Sequence, residues 1–186
     1  TPNQFERDGF DTTPYLIDEY EVVTFPARDG TEISGFFIPA PISNVSEAST
    51  VIIVHGFSDC KRRPFSLIPA SMLQQNNMNS LVIDLRNHGD SEITTGRMTG
   101  GVDEAQDVLG AWDWLIGEQG ISADKIGVFG YSLGGATIIH AMSDEPRLVA
   151  GWTDSTFDSM DRVLRWQLGL NDPSFPEFLS PIALSM

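Results

Sequence analysis

Lys125-Ile126-Gly127-Val128-Phe129-Gly130-Tyr131-Ser132-Leu133-Gly134-Gly135-Ala136 changes character halfway along. Its first half is a short apolar run of the kind buried on both faces of a parallel sheet. Its second half opens a helix predicted over Leu133–Ser143. The junction, Gly130-Tyr131-Ser132-Leu133-Gly134, has the pattern G-x-S-x-G. That pattern says little alone; its position between strand and helix gives it meaning. A sharp turn there needs small residues on both sides of the serine, because backbones approach closely. Such a turn lifts the Ser132 hydroxyl above the sheet. It also leaves the Leu133 N–H at a helix N-terminus, aimed at developing negative charge. The plain alternative is a glycine-rich phosphate turn, but the G-x-G-x-x-G of a dinucleotide site is absent.

The same strand signature recurs upstream in Val51-Ile52-Ile53-Val54 and over Ser80–Asp84, and more weakly over Arg147–Asp154. Glu21–Phe25 and Thr31–Ile38 read as a hairpin turning at Arg28-Asp29-Gly30, with glycine at the positive-φ position. Helices are predicted between the strands. Pro64–Gln75 carries Phe65, Ile68, Met72 and Leu73 at helical spacing. A second helix aligns Ala105, Val108, Leu109, Trp112, Leu115 and Ile116 on one stripe. Asp103, Glu104 and Asp107 near its start read as carboxylates favoured by the helix dipole. A last helix is expected after a capping box at Ser155–Asp158. Strands alternating with helices predict an α/β fold: a mostly parallel sheet with an antiparallel first hairpin and helices on both faces. Residues 1–18 read as an N-terminal arm and 19–186 as one domain, of which 156–186 could begin a cap. Two loops then join Ser132 at one edge of the sheet: Val54-His55-Gly56-Phe57, and Asp84 to Ser91.

Composition narrows the chemistry. The 186 residues hold 26 Asp+Glu against 11 Lys+Arg, a formal charge of −15. That balance argues against nucleic acid, whose phosphates need basic patches. Apolar residues at 41% are enough for a core, which excludes disorder as the main state. The lone Cys60 excludes an internal disulfide and a multi-cysteine zinc site, and reads as a free thiol. Asp154, Asp158 and Asp161 share a helical face but read as exposed carboxylates before they read as a metal site. No apolar run approaches the ~20 residues of a membrane span. Nothing in the sequence fixes a compartment.

With these motifs in view, the chain resembles the α/β-hydrolase superfamily over roughly Glu21 to Asp158. H-G after the third strand, D-x-R-x-H-G-x-S after the fourth and G-x-S-x-G after the fifth occur in the family's order. The serine esterase and prolyl-oligopeptidase-like branches are closest in look. The resemblance implies Ser132 as nucleophile and the N–H groups of Phe57 and Leu133 as the oxyanion hole. His55, Gly56 and Tyr131 would border the substrate, with His55, Arg86 and His88 shaping the loops. The implied activity is hydrolysis of a small-molecule carboxylic ester or thioester through an acyl-enzyme, with no cofactor. A peptidase of the same fold and a catalytically silent fragment used in binding are the alternatives.

The family order of serine, then acid, then histidine is not completed. His140 follows Ser132 but would lie about 12 Å further along the same helix, too far to reach the hydroxyl. His88 is on the correct edge but belongs to a turn. Asp154, after the sixth strand, is an acid candidate lacking a histidine partner. The strand–helix units that usually carry the acid and base are missing. The fold is therefore expected to lack its last strands, with base and acid supplied from outside this chain. An open edge at the Arg147 strand would invite a second chain or a homodimer.

Overall fold

The computed structural model describes residues 13–17 and 19–167. The chain divides into two compact units, Thr1–Thr156 and Phe157–Met186. The first contains six strands: β1 (Glu21–Pro26), β2 (Glu32–Ile38), β3 (Thr50–Val54), β4 (Asn79–Ile83), β5 (Ile126–Tyr131) and β6 (Gly151–Asp154). Its helices are α1 (Pro64–Gln75), α2 (Ala105–Gly117) and α3 (Leu133–Asp144). The strands form one sheet in the order β1-β2-β4-β3-β5-β6. β1 and β2 pair antiparallel, as do β2 and β4; β4, β3, β5 and β6 run parallel. Gly30 takes φ +93° in the first hairpin, the conformation expected of a glycine turn. This is the mixed, mostly parallel α/β sheet expected.

Ile52 and Ile53 point to opposite faces of β3 and both are fully buried, so both faces are covered. On one face Phe36, Ile38, Ile53 and Val82 pack with Leu67 and Ala70 of α1 and with Ile17. On the other, α2 presents the stripe expected of it, with Val108, Trp112 and Leu115 fully buried. Trp114 of α2 also stacks on Phe25 at 5.8 Å. At about 25 cal/mol per Å² of apolar area, covering both faces is the main stabilising term.

Three expectations need correction. The stripe proposed for α1 is only half right: Ile68 and Leu73 pack against the core, but Phe65 and Met72 are exposed, and the fully buried positions are Ser66, Leu67, Ala70, Ser71 and Gln74. Small side chains let α1 approach the sheet closely. Gln74 fits there because its amide donates to the carbonyls of Glu19 and Pro39, both at 3.1 Å. The described end of the proposed arm is docked, since Thr13–Tyr15 forms a 3-10 turn and Ile17 is 2% exposed in the core. The helix expected from Ser155 begins instead at Met160, as α4 (Met160–Gln167) of the second unit. Ser155 has φ +53°, and Ser159 Oγ accepts the Arg162 N–H, so Ser159 is the cap. Residues 168–186, where part of the possible cap was placed, lie outside the described residues.

β6 is shorter than the Arg147–Asp154 run suggested. Arg147 is held by the Glu145 carboxylate at 2.9 Å, which turns the chain before the strand begins. At the end of the sheet order, all four β6 residues are exposed.

Candidate active site

Ser132 stands at the turn from β5 to α3 with φ +53° and ψ −118°. That is a sparsely populated conformation for a residue with a Cβ, and it persists only where the surroundings enforce it. They do so from three sides. The Ser132 N–H donates to the Asp154 carbonyl at 2.9 Å, extending the β5–β6 ladder through the turn. Its carbonyl accepts the N–H of Gly135 at 3.1 Å and of Ala136 at 3.3 Å, starting α3. The glycines permit the closeness: a Cβ on Gly134 would strike the carbonyl oxygens of Val54 and His55, and one on Gly130 would strike the Gly134 backbone.

The loop after β3 lies against this turn. A Cβ on Gly56 would sit 3.3 Å from Ser132 Cβ and 3.0 Å from the Tyr131 ring. The Phe57 and Leu133 N–H groups have no hydrogen-bond acceptor among the described residues. Leu133 opens α3, where no intrahelical acceptor exists. Ser132 is half-buried, and its Oγ likewise has no hydrogen-bond partner among the described residues.

His55 does not border open space. Its side chain is fully buried, and its Nε2 accepts the Leu85 N–H at 3.0 Å. The proton is therefore on Nδ1, which donates to the Gly56 carbonyl at 2.7 Å. Burial lowers its pKa and keeps the ring neutral. With both nitrogens engaged, His55 shapes the loop and offers nothing to a substrate. His88 donates from Nδ1 to the Arg86 carbonyl at 2.9 Å, and its ring lies 5.0 Å from His55 and 6.2 Å from Phe57. His140 is exposed on α3. No histidine is bonded to Ser132 among the described residues. Asp154 is exposed, and its carboxylate accepts only the neighbouring Ser155 hydroxyl, at 2.8 Å.

The D-x-R-x-H-G-x-S segment is a buried scaffold. Asp84 accepts Lys61 Nζ at 2.5 Å, the Lys61 N–H at 2.6 Å and the Asp90 N–H at 2.8 Å. Gly89 has φ +54°, and a side chain there would collide with the Asp84 carboxylate. Arg86 holds Asp107 through Nε at 2.9 Å and Nη2 at 2.7 Å, and reaches Asp29 at 2.7 Å. Asp107 is buried, which pushes its carboxyl up to about 6, against the pull of Arg86. Glu104, also buried, accepts Thr99 Oγ1 at 2.7 Å and the Gly101 N–H at 2.9 Å. Glu104 and Asp107 stand at the start of α2, as expected of helix-start carboxylates, and each in addition has specific partners at a buried position.

Sequence reasoning missed two participants. Lys61 is wholly buried, although lysine is seldom so. Asp59 accepts the Tyr131 hydroxyl, and burial followed by this carboxylate raises the Tyr131 pKa well above the ordinary phenol range. Tyr131 also packs against Phe65, with ring centroids 5.4 Å apart. Nothing in the spacing of these residues announces either contact.

Comparison with known proteins places this arrangement. The family described as serine aminopeptidase, S33, matches residues 46–156. The uncharacterized protein YfhR of Salmonella typhi is 30% identical over 157 residues, 78% of this chain and 52% of its own length. The thiohydrolase aneE of Aspergillus aculeatus is 29% identical over 133 residues, 69% of this chain and 39% of its own. The chain thus spans about half the length, or less, of these curated relatives. Among solved structures, the Pyrococcus furiosus esterase Pf2001 superposes with a TM-score of 0.69 at 25% identity, covering 89% of this chain and 62% of that one. The Pseudomonas aeruginosa protein PA2218 gives 0.71 at 21% identity, covering 94% and 54%, a likeness of fold alone. The match runs through all three motif loops and more than half of the residues, and the chain belongs to the α/β-hydrolase family described as serine aminopeptidase, S33.

Proposed function

We propose that this chain carries the nucleophile and oxyanion hole of a serine hydrolase acting on carboxylic esters or thioesters. The observation that carries the reading is the backbone of Ser132, held at φ +53° beside Gly56. A strained serine at a strand-to-helix turn presents its hydroxyl to a bound carbonyl, and two unpartnered N–H groups stand in the adjoining loops.

In this mechanism Ser132 Oγ attacks the carbonyl carbon while a base takes its proton. The tetrahedral oxyanion is stabilised by the Phe57 and Leu133 N–H groups. Its collapse expels the alcohol or thiol, protonated by the same base, and leaves an acyl-Ser132 ester that water then hydrolyses. The base is assigned to a histidine outside this chain, in the remainder of a longer protein. Asp154, at the end of β6, is retained as a candidate acid to orient it. Gly56 flanks the substrate carbonyl. The substrate is a small-molecule ester, and no cofactor enters the reaction. The esterase and thiohydrolase among the similar proteins support ester and thioester chemistry. The family description favours a second reading, cleavage of an aminoacyl amide by the same residues.

The test is intact mass after exposure of the full-length protein to a fluorophosphonate, with aryl esters, acyl thioesters and aminoacyl amides assayed in parallel. The expected result is one adduct, lost in Ser132→Ala, with turnover of esters or thioesters. Turnover of amides alone selects the peptidase, and a folded protein without adduct refutes the serine mechanism.

A further inference from the structure

We infer that the Tyr131–Asp59 pair is a positioning latch, tying the loop that carries Phe57 to the turn that carries Ser132. The inference rests on the serine-hydrolase reading and names residues that set the geometry of its oxyanion hole. A tetrahedral oxyanion is stabilised only if its two donors keep a fixed separation, and here the donors come from different loops. Leu133 is set rigidly by α3. Phe57 belongs to the β3–α1 connection, which has no regular ladder to hold it after Val54.

Besides the bonds that Lys61 makes to Asp84, three contacts hold the part of that connection around Phe57. The Gly56 carbonyl accepts His55 Nδ1 at 2.7 Å, fixing the start of the loop. The space a Gly56 side chain would fill is taken by the Tyr131 ring and Ser132 Cβ, at 3.0 and 3.3 Å. Beyond Phe57, the Tyr131 hydroxyl donates to Asp59, and Asp59 also accepts the Cys60 N–H at 2.9 Å. Tyr131 therefore clamps the loop on both sides of Phe57, with its ring at Gly56 and its hydroxyl at Asp59. Because Tyr131 directly precedes Ser132, any shift of the loop is measured against the serine itself. A hydrogen bond to a charged carboxylate in a half-buried setting is among the stronger ones available.

The latch acts on the transition state more than on ground-state binding, since it touches neither the acyl nor the leaving group. In the full-length protein, Tyr131→Phe and Asp59→Ala are each expected to lower kcat for an aryl ester roughly 10-fold, below the loss from deleting an oxyanion donor outright. KM should stay within about 2-fold, as for an interaction made only in the transition state. The double variant should be no worse than either single one, because both remove the same bond. Unchanged kcat in both single variants, additive losses, or a rise in KM at constant kcat would overturn the latch. The last outcome would make Tyr131 a substrate contact. Asp59→Ala keeps the test decisive if Tyr131→Phe folds poorly. Should the wild type show neither turnover nor a Ser132 adduct, the serine-hydrolase reading itself fails, which is distinct from a wild type that turns over regardless of the latch.

Discussion

Replacing Ser132 by glycine should make the protein more stable while removing the proposed nucleophile. The backbone at Ser132 has φ +53° and ψ −118°, and conformations this sparsely populated cost about 1–3 kcal/mol for a residue with a Cβ. Glycine adopts such angles freely but gives up about 0.5–1 kcal/mol, because its unfolded chain has more freedom to lose. Alanine retains the Cβ and hence the strain. It deletes only a hydroxyl that has no hydrogen-bond partner among the described residues, so Ser132→Ala should fall within about 0.5 kcal/mol of wild type. The difference between the two variants isolates the strain. Glycine is expected to be more stable than alanine by about 1 kcal/mol, which in a protein of this size raises the melting midpoint by about 2–4 °C. Urea titrations of wild type, Ser132→Ala and Ser132→Gly at one pH give the comparison directly. An alanine variant equal to or more stable than the glycine variant would refute stored strain at Ser132.

Glycine positions separate steric need from backbone need. Gly134→Ala should cost more than about 3 kcal/mol or prevent folding, because its Cβ meets main-chain carbonyls. Gly30→Ala has open space and should cost only about 1–2 kcal/mol for its φ of +93°, a contrast readable from two denaturation curves. Asp107→Ala leaves Arg86 buried without its main partner and should destabilise by about 3–5 kcal/mol; Arg86→Met with Asp107→Leu should recover much of that loss in the same assay. The pH dependence has two opposed parts. The lowered pKa of His55 means that its contribution is complete above the unfolded value of 6.5 and is lost as pH falls through the folded one. Asp107, raised from 3.8 to about 6, works the other way, binding its proton more tightly when folded and adding stability as pH falls through 6 toward 4. Asp107→Asn should therefore show a larger drop in melting midpoint between pH 7 and 5 than wild type; an equal drop would show that Asp107 does not offset His55.

What could be read from the sequence was whatever repeats locally. Continuous β-branched runs such as Val51–Val54 mark strands covered on both faces, and the structure buries Ile52, Ile53 and Val54 alike. The Gly130–Gly134 pattern fixed the turn because its requirement is steric and confined to a few neighbouring residues. Burial of α1 was misread for the opposite reason. Its inner face holds Ser71 and Gln74, whose acceptability depends on carbonyls contributed by Leu16, Glu19 and Pro39 far away in the chain. Asp107 was placed correctly in a first helical turn, but its partner was hidden, since such a carboxylate looks the same whether it faces water or Arg86. Tyr131 and Asp59 are 72 residues apart and share no periodicity. Contacts of this kind are set by which loops the sheet order brings together, and no local pattern carries that information.

The loops around Ser132 show why so many charged groups are buried in a chain this acidic. An unpaired buried charge costs several kcal/mol, so Lys61, Asp84, Arg86 and Asp107 are tolerable only in one arrangement, with each partner in place. Hydrophobic side chains of similar volume could fill the same space, but they would accept several loop positions of nearly equal energy. Directional bonds do not: moving the β4–α2 loop against the β3–α1 connection would break both Asp84 contacts to Lys61, at its N–H and at Nζ, together. Lys61 belongs to the connection that also carries Phe57 and Asp59, so the Asp84 cluster fixes that connection at a second point, beyond the one where Tyr131 holds Asp59. The strained Ser132 backbone can persist because the loops around it have no equally favourable place to relax into. Loss of Lys61 should therefore disturb the loop that carries Phe57 before it disturbs the sheet, which β3 and β5 hold through their own parallel ladder.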